Sequence, residues 1–418
     1  MKTKILLGSI VLILIIGLGA GAFWWARRPQ IIILDNGDKL TLVGVDYGKH
    51  HATPMAKTTP FGELRQQDRV VFNTPNNCLV VWIRQEHPAN RSPQYQFFIY
   101  DKAGTACVSS EPGSRSRYGG GGTNEIVAVQ FNTFSRRSVK LILRVQEWIP
   151  NEGQVLNEKN FVISNPARGK SYPNWTAESL PVTKTDDDFS VSLQKLEFGV
   201  DGSFNRDQDN PDDAINKGVE AVFHAQQNGT NAVNWQPAGI ETSDATGNHE
   251  GAGCNCHWDG DNLVADYQWG LWANEPAWKL RVEFVKQSGF GDDELLTVTN
   301  IPFQPGDRNG FWNWSNSRTN TPFADSTVNG IHVKIYRVQQ FADQMQPSAV
   351  LLVRGDSMPE GTHLTVLKIA DEQGRDIDHW GWSTDAYGLR DVDGVTNITV
   401  TVAVHKGHFF EFTAKPEK

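Results

Sequence analysis

Ile398-Thr-Val-Thr-Val-Ala-Val404 places apolar side chains at every second position over seven residues. Successive side chains of an extended strand point to opposite faces, so a period of two predicts a β-strand with one buried face. Ile331-His-Val-Lys-Ile335 repeats this pattern, and other apolar segments with β-branched residues recur along the chain. No helical pattern of ten residues follows residue 26. The chain after that point is therefore predicted to be all-β.

The strands recur in three passes with the same order of five elements. Each pass has an alternating strand, an apolar run, a strand that ends in Asp-x-x-Gly, a long strand and a short strand before a proline. The turns are Asp101–Gly104, Asp244–Gly247 and Asp371–Gly374. Asp can cap such a turn with its carboxylate, while Gly adopts the positive φ that the turn needs. The pattern predicts tandem immunoglobulin-like β-sandwiches, with chance similarity between strands as the alternative.

The predicted domain boundaries follow from this repeat and from two polar segments that contain prolines. Both segments also carry aromatic residues, among them Tyr172 and Trp175, so they are predicted to lie against the modules. The predicted β-sandwich modules span residues 31–166, 189–303 and 330–416, and the linkers span residues 167–188 and 304–329.

Residues 5–26 form an uncharged apolar run of twenty-two positions. At ~1.5 Å per residue a helix of this length spans ~33 Å, enough for the hydrocarbon core of a bilayer. Trp24 and Trp25 near its end fit the headgroup region. The run predicts a single transmembrane anchor, with residues 1–4 in the cytoplasm and the C-terminal domain extracytoplasmic. Ala20-Gly21-Ala22 allows a cleaved signal and a secreted protein instead, and a buried core helix is a third possibility.

Composition restricts the classes of partner. The formal net charge is −9, and neither the 39 basic nor the 48 acidic residues form a long run of one sign. A basic stripe, which nucleic-acid binding needs, is missing from the sequence. The predicted partners are therefore the membrane, through the N-terminal helix, and a protein or glycan of the cell envelope, with no nucleic acid.

The densest group of potential ligands surrounds a Cys-x-Cys motif. Cys254, Cys256 and His257, completed by Asp259 or His249, offer the soft and borderline donors that Zn²⁺ prefers. Cys-x-Cys is closer than the usual zinc spacing, and it puts both side chains on one side of an extended strand. A disulfide and two free thiols are the alternatives to a metal site. This loop is the first candidate for a functional site.

Two other cysteines are predicted to form a disulfide. Cys78 and Cys107 lie in neighbouring elements of the first pass, and an extracytoplasmic compartment is oxidising. Their bond would close a loop of about thirty residues and contribute about 3 kcal/mol by loop entropy.

An acidic loop has the oxygen-ligand spacing of a Ca²⁺ site. Its oxygen-bearing side chains recur at alternate positions, as in an EF-hand loop, but Arg206 stands where the loop needs Gly and neither flank is helical. A solvated acidic loop is the alternative reading. The candidate ligands are Asp201, Asn205, Asp207, Asp209 and Asp212.

Tryptophan is abundant, with fourteen residues in the chain. Trp312 with Trp314 and Trp380 with Trp382 have i, i+2 spacing, which places both rings of a pair on one face of a strand. Two exposed rings on one face could stack on a sugar. Packing in cores and between modules is the alternative.

Catalytic signatures are absent from the sequence. It contains no Gly-x-Ser-x-Gly, His-Glu-x-x-His, P-loop or dinucleotide-binding glycine motif. The eleven histidines are scattered. His50 with His51 and His405 with His408 are interpreted as surface residues, with ligands as the alternative. The leading hypothesis is a non-enzymatic, membrane-anchored β-sandwich protein with a binding or structural role at the cell envelope. A carbohydrate-binding protein that uses the Trp pairs and a hydrolase with a site between modules are the alternatives, and Zn²⁺ and Ca²⁺ are the candidate cofactors.

Overall fold

The computed structural model describes most of the chain after the predicted anchor. The described residues are 30–53, 70–87, 94–101, 114–118, 124–149, 154–201, 217–267, 271–272, 274–305, 321–341 and 348–417. They form an all-β structure of several antiparallel sheets arranged as β-sandwich-like modules, which confirms the predicted all-β class. Within these residues no helix is long and apolar enough to cross a membrane. The predicted anchor, residues 5–26, lies outside the described residues.

Twenty-seven strands make up the described structure. The first eight are β1 Ile31–Ile33, β2 Lys39–Ala52, β3 Val71–Glu86, β4 Gln94–Asp101, β5 Ser114–Tyr118, β6 Asn124–Phe131, β7 Lys140–Ile149 and β8 Gln154–Ser164. The next nine are β9 Val182–Asp186, β10 Phe189–Asp201, β11 Lys217–Gln227, β12 Thr230–Asn231, β13 Trp235–Asp244, β14 His249–Ala252, β15 Asn255–Asp259, β16 Asn262–Tyr267 and β17 Trp278–Lys286. The last ten are β18 Leu295–Pro305, β19 Ala324–Val328, β20 Ile331–Ile335, β21 Val338–Gln340, β22 Ala349–Gly355, β23 Thr362–Asp371, β24 His379–Ser383, β25 Ala386–Leu389, β26 Asn397–Lys406 and β27 His408–Ala414.

Strands β1–β8 form the first module. A five-stranded sheet in the order β1-β2-β3-β6-β5 and a three-stranded sheet in the order β4-β7-β8 share one apolar core. From Cys78 to Ile83, β3 is buried on both faces: Leu79, Val81 and Ile83 join this core, while Val80 and Trp82 join a smaller cluster on the other side. Burial on both faces explains why this part of the strand is a continuous apolar run without alternation.

Strands β9–β17 together with β27 form the second module. One sheet runs in the order β15-β16-β11-β10-β9, with β12 beside β11, and the other runs β14-β13-β17-β27. Their shared core is rich in aromatic side chains, including Phe189, Phe223, Phe284 and Phe412. Such side chains each remove a large apolar area from water, so they are a major stabilising contribution to the module.

Strands β18–β26 form the third module. They make one nine-stranded sheet in which β18 pairs with β26 and, in parallel, with β21. In β26 the alternating residues Ile398, Val400, Val402 and Val404 are all buried in the module's core. The period-two pattern that predicted this strand also predicted its buried face.

Two strands lie in a different module from their neighbours in sequence. β18 begins at Leu295, inside the predicted second module, yet pairs with β26 of the third. β27 follows β26 after one residue but pairs with β17 of the second module from Trp278↔Ala414 to Phe284↔His408. The chain therefore passes from the second module to the third and returns at its C-terminal end.

Two of the predicted Asp-x-x-Gly turns have the expected geometry. The Asp244 carboxylate accepts hydrogen bonds from the backbone N–H groups of Thr246 (2.8 Å) and Asn248 (3.2 Å). Asp371 accepts from Gln373 and Arg375 in the same way, and Gly247 and Gly374 have φ of 91° and 81°. The turn at Asp101 continues into residues outside the described part of the chain.

Candidate functional site

The Cys-x-Cys motif lies at one edge of the second module. β15, which contains Cys256, is the last strand of its sheet and pairs with β16, with Cys256 opposite Ala265. Burial alternates along β15, so Cys256 and Trp258 face inward, and with Cys254 they pack against the module core. The same period-two alternation that forms the strand thus brings both thiols to one face.

The two thiols are unbonded and in direct contact. Their Sγ atoms lie 3.4 Å apart, and the Cys256 thiol donates a hydrogen bond to Cys254 Sγ. Cys254 in turn donates to the carbonyl oxygen of Pro237 at 3.4 Å, across the seam between the two sheets. Pro237 lies at a β-bulge of β13, where the register shifts before Gly239.

The contact between the thiols shifts their two pKa values in opposite directions. The hydrogen bond from Cys256 stabilises a thiolate on Cys254 and lowers the pKa of Cys254, against the opposing effect of burial. The same bond raises the pKa of Cys256, and burial raises it further. Because a thiolate is the nucleophilic form of cysteine, Cys254 is the more reactive residue of the pair.

The other predicted zinc ligands do not join the thiols. His257 and Asp259 alternate with the inward residues of β15 and are exposed on the opposite face. His249 begins β14, which belongs to the other sheet of the module. Within the described residues no group of three or more His, Cys, Asp or Glu side chains is placed to hold a metal ion. Of the predicted set, the structure brings together only Cys254 and Cys256.

A third thiol, that of Cys78, lies in a hydrogen-bonded chain within the first module. Cys78 Sγ is 3.3 Å from His51 Nε2, and His51 Nδ1 is 3.0 Å from a carboxylate oxygen of Asp46. Cys78 and His51 are 0% and 1% exposed, and burial raises the pKa of the Cys78 thiol. The order of groups resembles a nucleophile, a base and an orienting carboxylate, but solvent does not reach the sulfur.

The interpretation of His51 as a surface residue was wrong. β2 and β3 form a long hairpin in which Gly48 pairs with Cys78 and His51 with Phe72, so the ring is covered by β3 residues. The hairpin register could have placed His51 near Cys78, but the sequence offers no turn signal that fixes this register. The predicted Cys78–Cys107 disulfide stays a prediction, because Cys107 lies outside the described residues.

The Trp pairs are described only in part. Trp380 is half-buried, lies across Gly388 and has the Arg390 guanidinium 4.6 Å from its ring centroid. Trp382 is also half-buried and packs on a small cluster that includes Tyr336 and Leu352. Trp312 and Trp314 lie outside the described residues, as do Asn205, Asp207, Asp209 and Asp212 of the predicted Ca²⁺ loop. Asp201 ends β10 at the start of that loop.

A polar and aromatic seam joins the first two modules. The Arg136 side chain of the first module donates to the carbonyl of Thr246 at 2.5 Å, and Asn248 exchanges two hydrogen bonds with the Phe134 backbone. Trp272 of the second module is 1% exposed and belongs to the apolar core of the first. The segment before β9 is held as well, because Arg137 donates to the carbonyl of Pro173 and lies over the Tyr172 ring.

A second seam joins the second module to the third. His363 on β23 hydrogen-bonds Glu283 on β17 at 2.7 Å, and Arg281 on β17 pairs with Glu360. His405 on β26 lies beside this contact, 1% exposed, with its ring stacked 5.5 Å from that of His363. The interpretation of His405 as a surface residue was therefore wrong.

Comparison with known proteins finds no relative. No protein-family model matches the chain, no curated protein is significantly similar to it, and no solved structure matches it. The functional argument therefore depends on the geometry and chemistry of the chain itself.

Proposed function

We propose that this protein is a membrane-anchored, extracytoplasmic β-sandwich protein with a binding or structural role at the cell envelope. Its immunoglobulin-like modules would hold their surfaces at a fixed distance from the membrane, where a protein or glycan of the envelope is the partner. The uncharged segment 5–26, followed by an all-β chain, supports the anchored arrangement.

The seam between the first two modules is the observation that carries the structural part of this proposal. A flexible string of modules would expose polar linkers and leave each core closed on itself. Here Trp272 crosses into the core of the neighbouring module, and the buried Arg136 side chain bonds the Thr246 carbonyl across the seam. Such contacts favour a protein whose modules keep one relative arrangement.

The two alternative functions receive less support from the described residues. Carbohydrate stacking needs open ring faces, whereas Trp380 and Trp382 are half-buried and in contact with other side chains. For a hydrolase with a cysteine nucleophile, the arrangement of Cys78, His51 and Asp46 is unsuitable, because the Cys78 thiol is fully buried. We therefore keep the binding or structural role as the proposed function.

We expect the full-length protein to sediment with membranes and to be released by detergent but not by high salt or alkaline carbonate. A variant without residues 1–28 should remain in the soluble fraction, because the rest of the chain lacks a comparable apolar run. Protease added to intact cells or spheroplasts should degrade the β-sandwich portion from the outer side.

Two results would contradict this arrangement. N-terminal sequencing that finds Phe23 as the first residue would show a cleaved signal and a secreted protein. Protection of the β-sandwich portion from external protease, with digestion only after lysis, would place it in the cytoplasm.

A further inference from the structure

We propose that Cys254 and Cys256 form a thiol–disulfide exchange site whose substrate is a disulfide, either of a small thiol compound or of another protein. Cys256 lies on the inward face of β15, Cys254 immediately precedes the strand, and the two sulfurs lie 3.4 Å apart. This inference does not depend on the membrane location or on the structural role proposed above.

The two sulfurs are close enough to form a disulfide after only a small movement. An S–S bond is about 2.05 Å long, so closure needs a movement of little more than 1 Å shared between two side chains. Both residues are half-buried, Cys256 in the edge strand β15 and Cys254 immediately before it, and among the described strands only β16 pairs with β15. The edge position gives the strand room to adjust, and neither cysteine is fully buried.

A structural role explains this pair poorly. A disulfide stabilises mainly by closing a loop of the unfolded chain, and the loop between residues 254 and 256 is about three residues long. The gain from so short a loop is small, while the ring of about eleven atoms is strained in an extended strand. Strained, accessible disulfides are the readily reduced ones, which suits exchange better than stabilisation.

The hydrogen bond between the thiols assigns the two roles. Cys254 Sγ accepts the bond and Cys256 donates it, so Cys254 is the attacking sulfur and Cys256 the resolving one. The Cys254 thiolate, whose proton has passed to solvent, attacks one sulfur of the substrate disulfide. The substrate S–S bond breaks, a mixed disulfide forms on Cys254, and one substrate thiolate leaves.

Resolution completes a balanced two-electron exchange. Cys256 loses its proton and attacks Cys254 Sγ, which breaks the mixed disulfide, forms the Cys254–Cys256 bond and releases the second substrate thiolate. The two departing thiolates take up the two protons that the cysteines lost. The pair is oxidised, the substrate disulfide is reduced to two thiols, and the reverse reaction places a disulfide into a substrate.

The test uses the full-length chain in detergent, reduced, freed of reductant and exposed to oxidised glutathione. After alkylation, mass spectrometry of the peptide that carries both cysteines should show an internal disulfide, two hydrogens lighter than the dithiol. Parallel incubation with insulin, whose disulfides are held by a protein, should show whether a protein disulfide also reaches the site. Reaction with glutathione alone would assign a small-molecule substrate, and reaction with both would extend it to proteins.

Single variants test whether each cysteine reaches the substrate. Cys256→Ser should trap a stable glutathione mixed disulfide at Cys254, and Cys254→Ser should trap one at Cys256, because neither variant has the second thiol that resolves it. Cys78→Ser is the matched control, because it removes a buried thiol of another module and should leave both reactions unchanged. Limiting iodoacetamide on the native chain, which keeps the contact between the thiols, tests the assigned roles, and Cys254 should be labelled first.

Three results would overturn the proposal. A pair that stays reduced in oxidised glutathione cannot exchange, and equal labelling of the two cysteines by limiting iodoacetamide on the native chain would remove the assigned roles. Uptake of one Zn²⁺ by the reduced chain, lost in both variants, would show that the pair is a metal site instead.

Discussion

Trp272→Ala should lower the free energy of unfolding of the first module by about 3–5 kcal/mol, the usual cost of removing a large aromatic side chain from a core. The side chain is 1% exposed and packs in the first module, although its backbone belongs to the second. The substituted residue therefore belongs to the second module, whereas the cavity forms in the first. Chemical denaturation followed by near-ultraviolet circular dichroism measures the effect.

Trp175→Ala is the matched control for this substitution. Trp175 is half-buried and does not enter a core. The centroid of its ring lies 5.4 Å from the Lys279 ammonium group. We expect its replacement to cost about 1 kcal/mol, the size of a cation–π contact at a partly exposed site. Similar costs for the two variants would show that Trp272 does not couple the modules.

The loss of Trp272 should also change the form of the unfolding transition. In the wild type the seam couples the first two modules, so they should unfold together. In Trp272→Ala we expect the first module to unfold at a lower denaturant concentration than the second, which separates one transition into two. Two transitions already present in the wild type would contradict the proposed rigid arrangement.

Local sequence patterns predicted individual strands and turns, but not which distant strands pair. The alternation in β26 gave both the strand and its buried residues, and the Asp244 turn formed because its carboxylate and Gly247 encode it locally. The pairing of β27 with β17 is different, because about 120 residues separate the partners and no local signal selects one sheet edge over another. The crossing of Trp272 into the first module is unpredictable for the same reason.

The same distinction between local pattern and long-range pairing applies to the candidate site. A period of two predicted that Cys254 and Cys256 share a face, and their contact at 3.4 Å agrees with it. Applied consistently, the same rule places His257 and Asp259 on the opposite face, as the structure shows, and it argues against a single metal site. Cys78 and His51 meet only through the register of a long hairpin, which the sequence does not specify.

Acidification from pH 7 to pH 4 should destabilise the protein through His405 by about 3 kcal/mol, the product of its pKa change and the free energy of one pKa unit. Burial, together with the nearby His363, lowers the pKa of His405 to about 4, and Lys286 acts in the same direction. Glu294 opposes them. In the described structure neither ring nitrogen of His405 has a hydrogen-bond partner, so a proton on this ring has no acceptor to stabilise it.

The direction of the effect follows from proton uptake. Below the ordinary histidine pKa of about 6.5 the unfolded chain binds a proton at residue 405, while the folded chain does not until the pH approaches 4. Stability therefore falls as the pH falls through this window and is fully present above it. Equilibrium unfolding at several pH values between 7 and 4 measures the slope.

His405→Phe isolates this contribution from the carboxylates that also titrate near pH 4. Phenylalanine keeps an aromatic ring between Phe290 and His363, whose rings lie 5.1 and 5.5 Å from that of His405, and it binds no proton. At pH 7 the free energy of unfolding of the variant should equal that of the wild type or be slightly higher. On acidification to pH 4 the variant should lose about 3 kcal/mol less than the wild type. His332→Phe, which replaces an exposed histidine on β20, is the matched control. Equal slopes for the wild type and His405→Phe would mean that the buried ring is protonated as easily as a free one, and the seam between the second and third modules would then not be a dry contact.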